Sequence, residues 1–417
     1  MLTAAEASAR LLAPVGATVG VPTPLVDAHG LVLAADAIAT VTLPPWPNAA
    51  MDGYAVRAAD VLAASAATPV TLPVTETIAA GAFPTRALSG GDAARIMTGA
   101  PVPDGADSVI RVEDTDGGIS RVVVRDARDA RRNVRAAGED VHAHDVLLRA
   151  GSWLGGAQLG LLAAAGVTEV SVHRRPRVAI ITSGDELVPL ALVEEARAGR
   201  KLISSNSVAL VALVREAGAT PVDFGIVRDD PIALAERLRA ASAECDLILT
   251  TAGVSVGAFD YTREAVQGAG GSIDFWKVRL RPGAMLGAGG VAGVPWLGLP
   301  GNPVSAIVTF ELFAHPIIRR LLGHPRCLPQ SLQCESAEPM KTAGGTTYLL
   351  RAVLTPRSGA LPLVQLAGGQ GSHVQSALAR GNALLVVPPE LSRAPAGTIL
   401  RAVPLGEARS YGVEFPF

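Results

Sequence analysis

The stretch LPGNPVS, residues 299–305, follows Pro295, Trp296, Leu297 and Gly298, which read as the end of a buried strand, and it precedes the apolar-periodic run AIVTFELFAHPIIRRLLG. A Gly-Asn-Pro break at such a place is helix-start chemistry. Asn302 can cap, and Pro303 suits the first helical position, where no amide hydrogen is missed. A glycine turn between strand and helix leaves helix amides aimed outward, a geometry by which backbones cradle oxyanions. A plain strand-to-helix connection has the same local features, so the neighbouring segments have to decide.

Upstream, short β-branched runs alternate with helical stretches, which is the grammar of an α/β domain. RPRVAIIT (175–182) reads as a strand, and SSNSVALVALVREAG (204–218) as a helix capped by Ser204, Ser205 or Asn206. TPVDFGIV (220–227) is again a strand, PIALAERLRAASAE a helix opened by Pro231, CDLILTTA a buried strand and FDYTREAVQGAG a helix. FWKVRL and PWLGL supply later strands, with AMLGAGGVAGV as a hairpin between them. Residues 1–174 differ, with short β runs such as TPVTLPVTETI and GISRVVVRD separated by Pro and Gly. The proline-dense LPPWPN (43–48) and the polar AAGED (136–140) bracket a segment suited to insertion into a host domain. After GHPRC (323–327), YLLRAVL, NALLVVP and TILRAVP return to β alternation and imply a small C-terminal β domain.

Composition narrows the function. A chain of 417 residues suggests roughly three domains. A net charge of -2 argues against wholesale nucleic-acid binding, and aromatics at 4% are too sparse for base-stacking platforms. No apolar run reaches the ~20 residues that span a bilayer, so no membrane partner is expected. Glu6, Arg10, Pro14, Pro22 and Pro24 break up any secretory signal, and the expected location is the cytoplasm. Cys245, Cys327 and Cys334 are too scattered for a disulfide framework and are expected to be reduced thiols. His142 and His144 would share one face of a strand, but no third metal ligand is near, and a solvated strand edge is the simpler reading.

In an open parallel sheet, ligands bind outside the carboxyl ends of the strands. Three loops there carry unusual residues: SGDE (183–186), GVSVGAFDY (253–261) and PGNPVS (300–305). Their glycines let backbone approach a ligand, which makes Ser183, Gly253, Ser255, Gly301 and Asn302 candidate binding residues. Glu186 and Asp260 bring carboxylates to the same crevice. Carboxylates beside an oxyanion need a cation between them, and hard oxygens with phosphate suit Mg²⁺. Alternatively, the two acids simply favour helix starts. In WKVRLRPG (276–283), Lys277, Arg279 and Arg281 alternate along a strand and share one face. On a central strand they would require a bound anion, and on an edge strand they would only protect it.

Rival chemistries fit less well. GVSVG matches the G-x-S-x-G nucleophile elbow with Ser255 as nucleophile, but the helix starts near Asp260 rather than right after the serine, and His315 falls in or beside a helix. No G-x-G-x-x-G follows the first strand, which argues against a nicotinamide site.

Eight strings together resemble one family, the molybdopterin molybdenumtransferases of the MoeA type, related to the E domain of gephyrin. They are PPWPNAAMDGYAVR (44–57), RIMTGAPVPDGADSVI (95–110), GED (138–140), RPRVAIITSGDEL (175–187), TAGVSVGAFDY (251–261), WKVRLRPG, GLPGNPVSAIVTF (298–310) and GSHVQSALARGNALLVVP (371–388), in family order over nearly the whole chain. The resemblance implies a multidomain α/β plus β fold. Its expected parts are a linker and dimerisation domain (1–43 and 140–174), an inserted β-rich domain (44–139), an α/β domain of molybdopterin-binding type (175–326) and a C-terminal β-barrel-like domain (327–417). It also implies a homodimer whose cleft joins the α/β domain of one subunit to the inserted domain of the other. The implied activity inserts molybdenum from molybdate into adenylylated molybdopterin, releasing AMP with the help of Mg²⁺. A molybdopterin adenylyltransferase would supply that substrate. A tetrahedral dianion suits Lys, Arg and backbone donors, and the phosphoanhydride suits a cation held by carboxylates.

Position by position, the resemblance assigns Asp52, Thr98 and Asp140 to the β side of the cleft, and Glu186, Asp229 and Asp260 to the acidic set, with Glu186 and Asp260 as metal ligands. Lys277 and Arg281 match its basic pair, Ser305 follows the PGNP turn, and Arg351 and Ser372 match anion-binding positions. The chain departs from the family pattern at Ala284 and Arg281, where lysines are usual, at Thr251 and Ala252, and at Ser204, where Asp is usual. Relatives that serve as scaffolds leave a second reading, a pterin-binding protein without catalysis.

Overall fold

Four apolar runs form parallel strands side by side, in the order Thr220–Val227, Arg177–Ser183, Leu247–Thr251 and Val294–Leu299. Gly287–Val291 and Gly271–Phe275 extend the sheet antiparallel. This computed structural model describes residues 1–251, 259–406 and 409–417, apart from the side chains of Phe259 and Asp260. Alternation along Arg177–Ser183 builds a core on each side of the sheet. Val178 and Ile180 pack with Leu210 and Val214 on one face, and Ala179 and Ile181 with Leu234 and Leu238 on the other. The glycine-rich run closes a hairpin at Ala292 and Gly293, whose φ of 49° and 84° suit the tight turn that matches strand twist.

Helix starts follow local chemistry. Pro231 opens the Pro231–Glu244 helix, and the Asp230 carboxylate accepts from the Ala233 amide at 2.8 Å. Asn302 occupies the N-cap of Pro303–Thr309 without a side-chain capping bond. One helix-start amide of this loop is already used: the Val304 amide donates to the Ser372 carbonyl (3.3 Å), so the C-terminal domain takes that donor. The helix continues through a π turn, Phe310–Ala314, into His315–Leu321. Pro316 has no amide for Leu312 and crowds its carbonyl, and widening the turn just before it relieves both. Buried Glu311 in that turn binds Arg409 (2.6 Å), and buried His315 contacts Glu311 (3.5 Å) and the Tyr411 hydroxyl (3.2 Å).

FWKVRL is not one strand. Gly271–Phe275 ends the central sheet, the Arg279 amide donates to the Leu2 carbonyl (2.8 Å), and Leu280–Arg281 pairs parallel with Thr347–Thr355 in another sheet. Val278 and Leu280 are buried while Lys277, Arg279 and Arg281 are exposed, so the alternation is real but belongs to a crossing between two sheets. Thr347–Thr355, Leu363–Leu366, Leu332–Ser336, Ile399–Pro404 and Ala383–Val387 pair in a closed ring, a five-stranded barrel with Leu280–Arg281 on its edge.

The N-terminal half supplies a five-stranded sheet, Ser108–Arg111, Gly53–Val56, Ala93–Ile96, Val70–Ile78 and Arg121–Val124. The two ends of this insert lie together, with Leu43 bridged to Val141 and Asn48–Ala49 paired with Val134–Arg135. Gly20–Pro24 pairs with Glu169–His173 beside it. Thr3 and Glu6 form a capping box at the Ala4–Leu12 helix, whose Ala4, Ala7 and Leu11 join the central α/β core rather than the linker strands. His142 and His144 sit in a turn, His144 with φ of 75°, and not on a strand. Among the described residues no group of three or more His, Cys, Asp or Glu could hold a metal ion, and no helix is long and apolar enough to cross a membrane. The three cysteines are buried and free, and burial raises their thiol pKa values, that of Cys334 to about 11.

At the amino edge of the sheet, Arg174 grips Asp246 with two bonds (2.7 and 2.6 Å), and the Arg177 amide adds a third (2.8 Å). Burial pulls the Asp246 carboxyl upward, but the guanidinium and the amide outweigh it and hold the group below its ordinary value of 3.8. Its stabilising contribution is therefore complete above that value and lost as pH falls through the folded pKa. Asp246→Asn is expected to cost about 1–2 kcal/mol at neutral pH, discounted for the half-exposed arginine. Urea unfolding at pH 7 and pH 3 checks this: the gap between variant and parent should narrow at the lower pH.

Candidate active site between the sheet edge and the barrel

The carboxyl ends of the parallel strands open into a cavity of about 640 Å³. Ser183 ends one strand, Asp229 lies just beyond the next, Thr251 ends the third, and Pro300 to Pro303 follow the fourth; Glu186 lies on the loop after Ser183. Gly184 has φ of 149°, and a Cβ there would stand 2.9 Å from both Glu186 carboxylate oxygens, so glycine lets that carboxylate fold over the loop. Tyr261, in the first turn of Phe259–Gly268, donates to Asp229 Oδ1 (3.1 Å) and meets the Ser183 hydroxyl at 3.0 Å. Burial, with Asp229 adding to it, pushes the phenol pKa up to about 12, so it stays a donor at neutral pH.

Three polar atoms in this wall have no hydrogen-bond partner among the described residues: Ser204 Oγ, Asn206 Oδ1 and Thr251 Oγ1, all on buried residues. Buried polar groups in native proteins are bonded, so unpartnered ones on a cavity wall mark where a ligand or ordered water completes the set. Asn206 is fixed through its amide nitrogen, which donates to the Gly301 carbonyl (2.8 Å).

A second cavity, about 910 Å³, lies between the α/β domain and the barrel and shares Met285, Pro300 and Asn302 with the first. Its wall is cationic, with Arg281, Lys341 and Arg351, and carries Ser305 and Ser372. Arg351 is 1% exposed and has no acidic partner among the described residues; its Nη2 donates to the Gly369 and Gly371 carbonyls (3.2 and 3.1 Å), and its Nε has no partner. A buried guanidinium without a counter-ion is costly unless an anion meets it. Arg281 is held at the barrel edge with its guanidinium 5.7 Å from the Tyr348 ring centroid.

Of the residues singled out from the sequence, Ser183, Glu186, Asp229, Gly301 and Asn302 meet in the first cavity, and Arg281, Asn302, Ser305, Arg351 and Ser372 in the second. Lys277 lines neither: it is exposed on the crossing segment, because Arg281 alone of the three cations is carried to the barrel edge. Gly253, Ser255 and the Asp260 side chain lie outside the described residues. Asp52 and Thr98 pair on the inserted sheet, through the Thr98 hydroxyl (2.6 Å) and amide (2.7 Å), which lower the Asp52 pKa. Neither they nor exposed Asp140, at the return from the insert, line either cavity. His315, the histidine a Ser255 hydrolase would use, also lies off both walls, enclosed by Glu311 and Tyr411. Sequence reasoning missed Tyr261, Met285, Lys341 and Gln375 as wall residues. Tyr261 had a signal, its place directly after Asp260, whereas Lys341 and Gln375 reach the site only through barrel packing.

Three family models match the chain in succession: the MoeA N-terminal region over residues 2–166, the probable molybdopterin binding domain over 179–320 and the MoeA C-terminal region over 333–405. A molybdopterin molybdenumtransferase 2 of Mycobacterium tuberculosis is 39% identical over 384 residues, covering 91% of this chain and 93% of its own. The chain belongs to the molybdopterin molybdenumtransferase family. A Nostoc member is 38% identical over 365 residues, covering 87% of this chain and 83% of its own. The crystal structure of the molybdopterin biosynthesis moeA protein from Pyrococcus horikoshii superposes with a TM-score of 0.81 at 27% identity, over 97% of this chain and 100% of the other. Membership places the chain among the transferases of molybdenum cofactor biosynthesis and does not favour the hydrolase.

Proposed function

We propose that this chain inserts molybdenum from molybdate into adenylylated molybdopterin and releases AMP. The observation that carries the reading is Arg351, a guanidinium buried without a carboxylate on a cavity wall with Arg281, Lys341, Ser305 and Ser372, where a tetrahedral dianion supplies the missing charge. The adjoining cavity has the opposite character, with Glu186 and Asp229 beside unpartnered buried hydroxyl and amide groups, and suits the nucleotide end. Its carboxylates and the Ser183 hydroxyl are the hard oxygens that Mg²⁺ takes, and Glu186 and Asp229, with Asp260, would hold that ion against the phosphoanhydride. When bound, the ion would neutralise charge on the phosphate oxygens. The chain's own groups bind and orient: Arg351 and Arg281 fix the dianion, and Ser204, Asn206 and Thr251 bond the polar edge of the substrate. The shared wall of Met285, Pro300 and Asn302 brings the two ligands together, so the reaction gains from proximity.

Purified protein given adenylylated molybdopterin, Mg²⁺ and molybdate should release AMP, and Asp260→Ala should stop it without unfolding the chain. Retained pterin binding with no AMP from the parent protein would favour the scaffold reading instead. The cytoplasm, where adenylylated molybdopterin would be made by a molybdopterin adenylyltransferase, is the location this reading calls for.

The working unit in this reading is a homodimer. Asp52, Thr98 and Asp140 line neither cavity of their own chain, and exposed Trp46 and Phe83 pack against each other, ring centroids 4.8 Å apart, on the same insert. A second copy would bring them over the cleft. Glu186→Gln and Asp52→Asn chains, each nearly silent alone, should then recover activity when mixed, because one mixed cleft carries neither substitution. Recovery to about a quarter of the parent rate is expected from random pairing. No recovery on mixing, despite exchange of subunits, would contradict the shared cleft.

A further inference from the structure

We infer that Tyr261 is a positioning residue that aims the Asp229 carboxylate into the nucleotide cavity, an inference that rests on the functional reading above. Three separate parts of the sheet edge converge on its hydroxyl. Ser183 closes the Arg177–Ser183 strand, Asp229 follows Thr220–Val227, and Tyr261 comes from the first turn of Phe259–Gly268. Proton counting fixes the direction of the chain. An ionised carboxylate only accepts, so the single phenolic proton goes to Asp229 Oδ1 at 3.1 Å. The phenolic oxygen then accepts from Ser183, 3.0 Å away, in preference to the longer contact of that hydroxyl with the Thr251 carbonyl at 3.4 Å. The relay therefore runs from Ser183 to Tyr261 to Asp229.

Asp229 is exposed on the loop beyond its strand and has no other hydrogen-bond donor among the described residues. Left alone, such a side chain samples several rotamers, and a carboxylate that must meet a metal-nucleotide loses affinity for each one it visits. The phenol removes that freedom while leaving the second carboxylate oxygen to the cavity. Ser183, itself 3% exposed, anchors the phenol in turn.

Tyr261→Phe keeps the ring and deletes both bonds. AMP release should fall about tenfold, the worth of one hydrogen bond to a charged group. The Mg²⁺ concentration for half-maximal rate should rise, while the molybdate KM and the unfolding midpoint stay where they are. The deciding measurement is the double-variant cycle with Asp229→Asn. If the phenol acts through Asp229, the double variant is no slower than Asp229→Asn alone. Multiplying losses in the double variant, or an unchanged Mg²⁺ dependence in Tyr261→Phe, would overturn the role of Tyr261 and leave the transferase reading intact. A parent protein that releases no AMP would overturn both.

Discussion

Arg351→Met is expected to lower molybdate-dependent AMP release by about 100-fold, equivalent to about 2.7 kcal/mol of lost binding or transition-state energy. The side chain is 1% exposed, and among the described residues the only groups that accept from its guanidinium are two backbone carbonyls. If its purpose were to brace the turn at Gly369 and Gly371, its loss would weaken the fold. If it waits for a dianion, its loss removes an uncompensated buried charge, and the unfolding midpoint should hold or rise while the rate collapses. Activity and melting measured on the same variant separate these outcomes. Arg351→Lys should recover only part of the rate, because an ammonium keeps the charge but not the planar fork that meets two oxygens of a tetrahedral anion.

Glu186→Gln is expected to have an effect of similar size, about 100-fold at low Mg²⁺, for a different reason. The amide keeps the shape of the side chain over Gly184 but supplies one neutral oxygen where the cation needs a charged one. The half-saturating Mg²⁺ concentration should rise about tenfold or more, and high Mg²⁺ should restore part of the rate. A uniform loss across a Mg²⁺ titration would contradict a metal role for Glu186.

Much of the fold was legible in the sequence because local signals agreed with each other. Thr220–Val227 and Pro231–Glu244 fall where alternation and Pro231 place them. The segment Trp276–Arg281 was misread because alternation records only which side chains are buried. It does not say whether a strand stays in one sheet or crosses between two, and here Val278 bridges Leu2 while Arg281 joins the barrel. That crossing separates Lys277 from Arg281. At Asn302, residue types that favour a capped helix were correct, but the geometry serves the site: the side chain makes no capping bond and lines both cavities.

Glu186 was readable because a strand-end loop rich in glycine and carboxylate is a local pattern, whereas Asp229 came with the family resemblance. Arg351 came only with the family resemblance, since a single arginine in an otherwise apolar strand, YLLRAVL, has no local meaning until the barrel closes and buries it. Lys341 left no trace, and Gln375, although inside the matched string at 371–388, carried no local sign of a wall residue. They reach the cavities through the packing of the barrel on the sheet domain, a contact between residues far apart in the chain.

The most direct test is anomalous diffraction at the molybdenum edge from a crystal soaked in molybdate. The peak should lie within hydrogen-bonding reach of Arg351, among Arg281, Ser305 and Ser372. A peak elsewhere in the molecule, or none at Arg351 in crystals of protein that turns over in solution, would contradict the claim that this buried cation is the seat of the dianion.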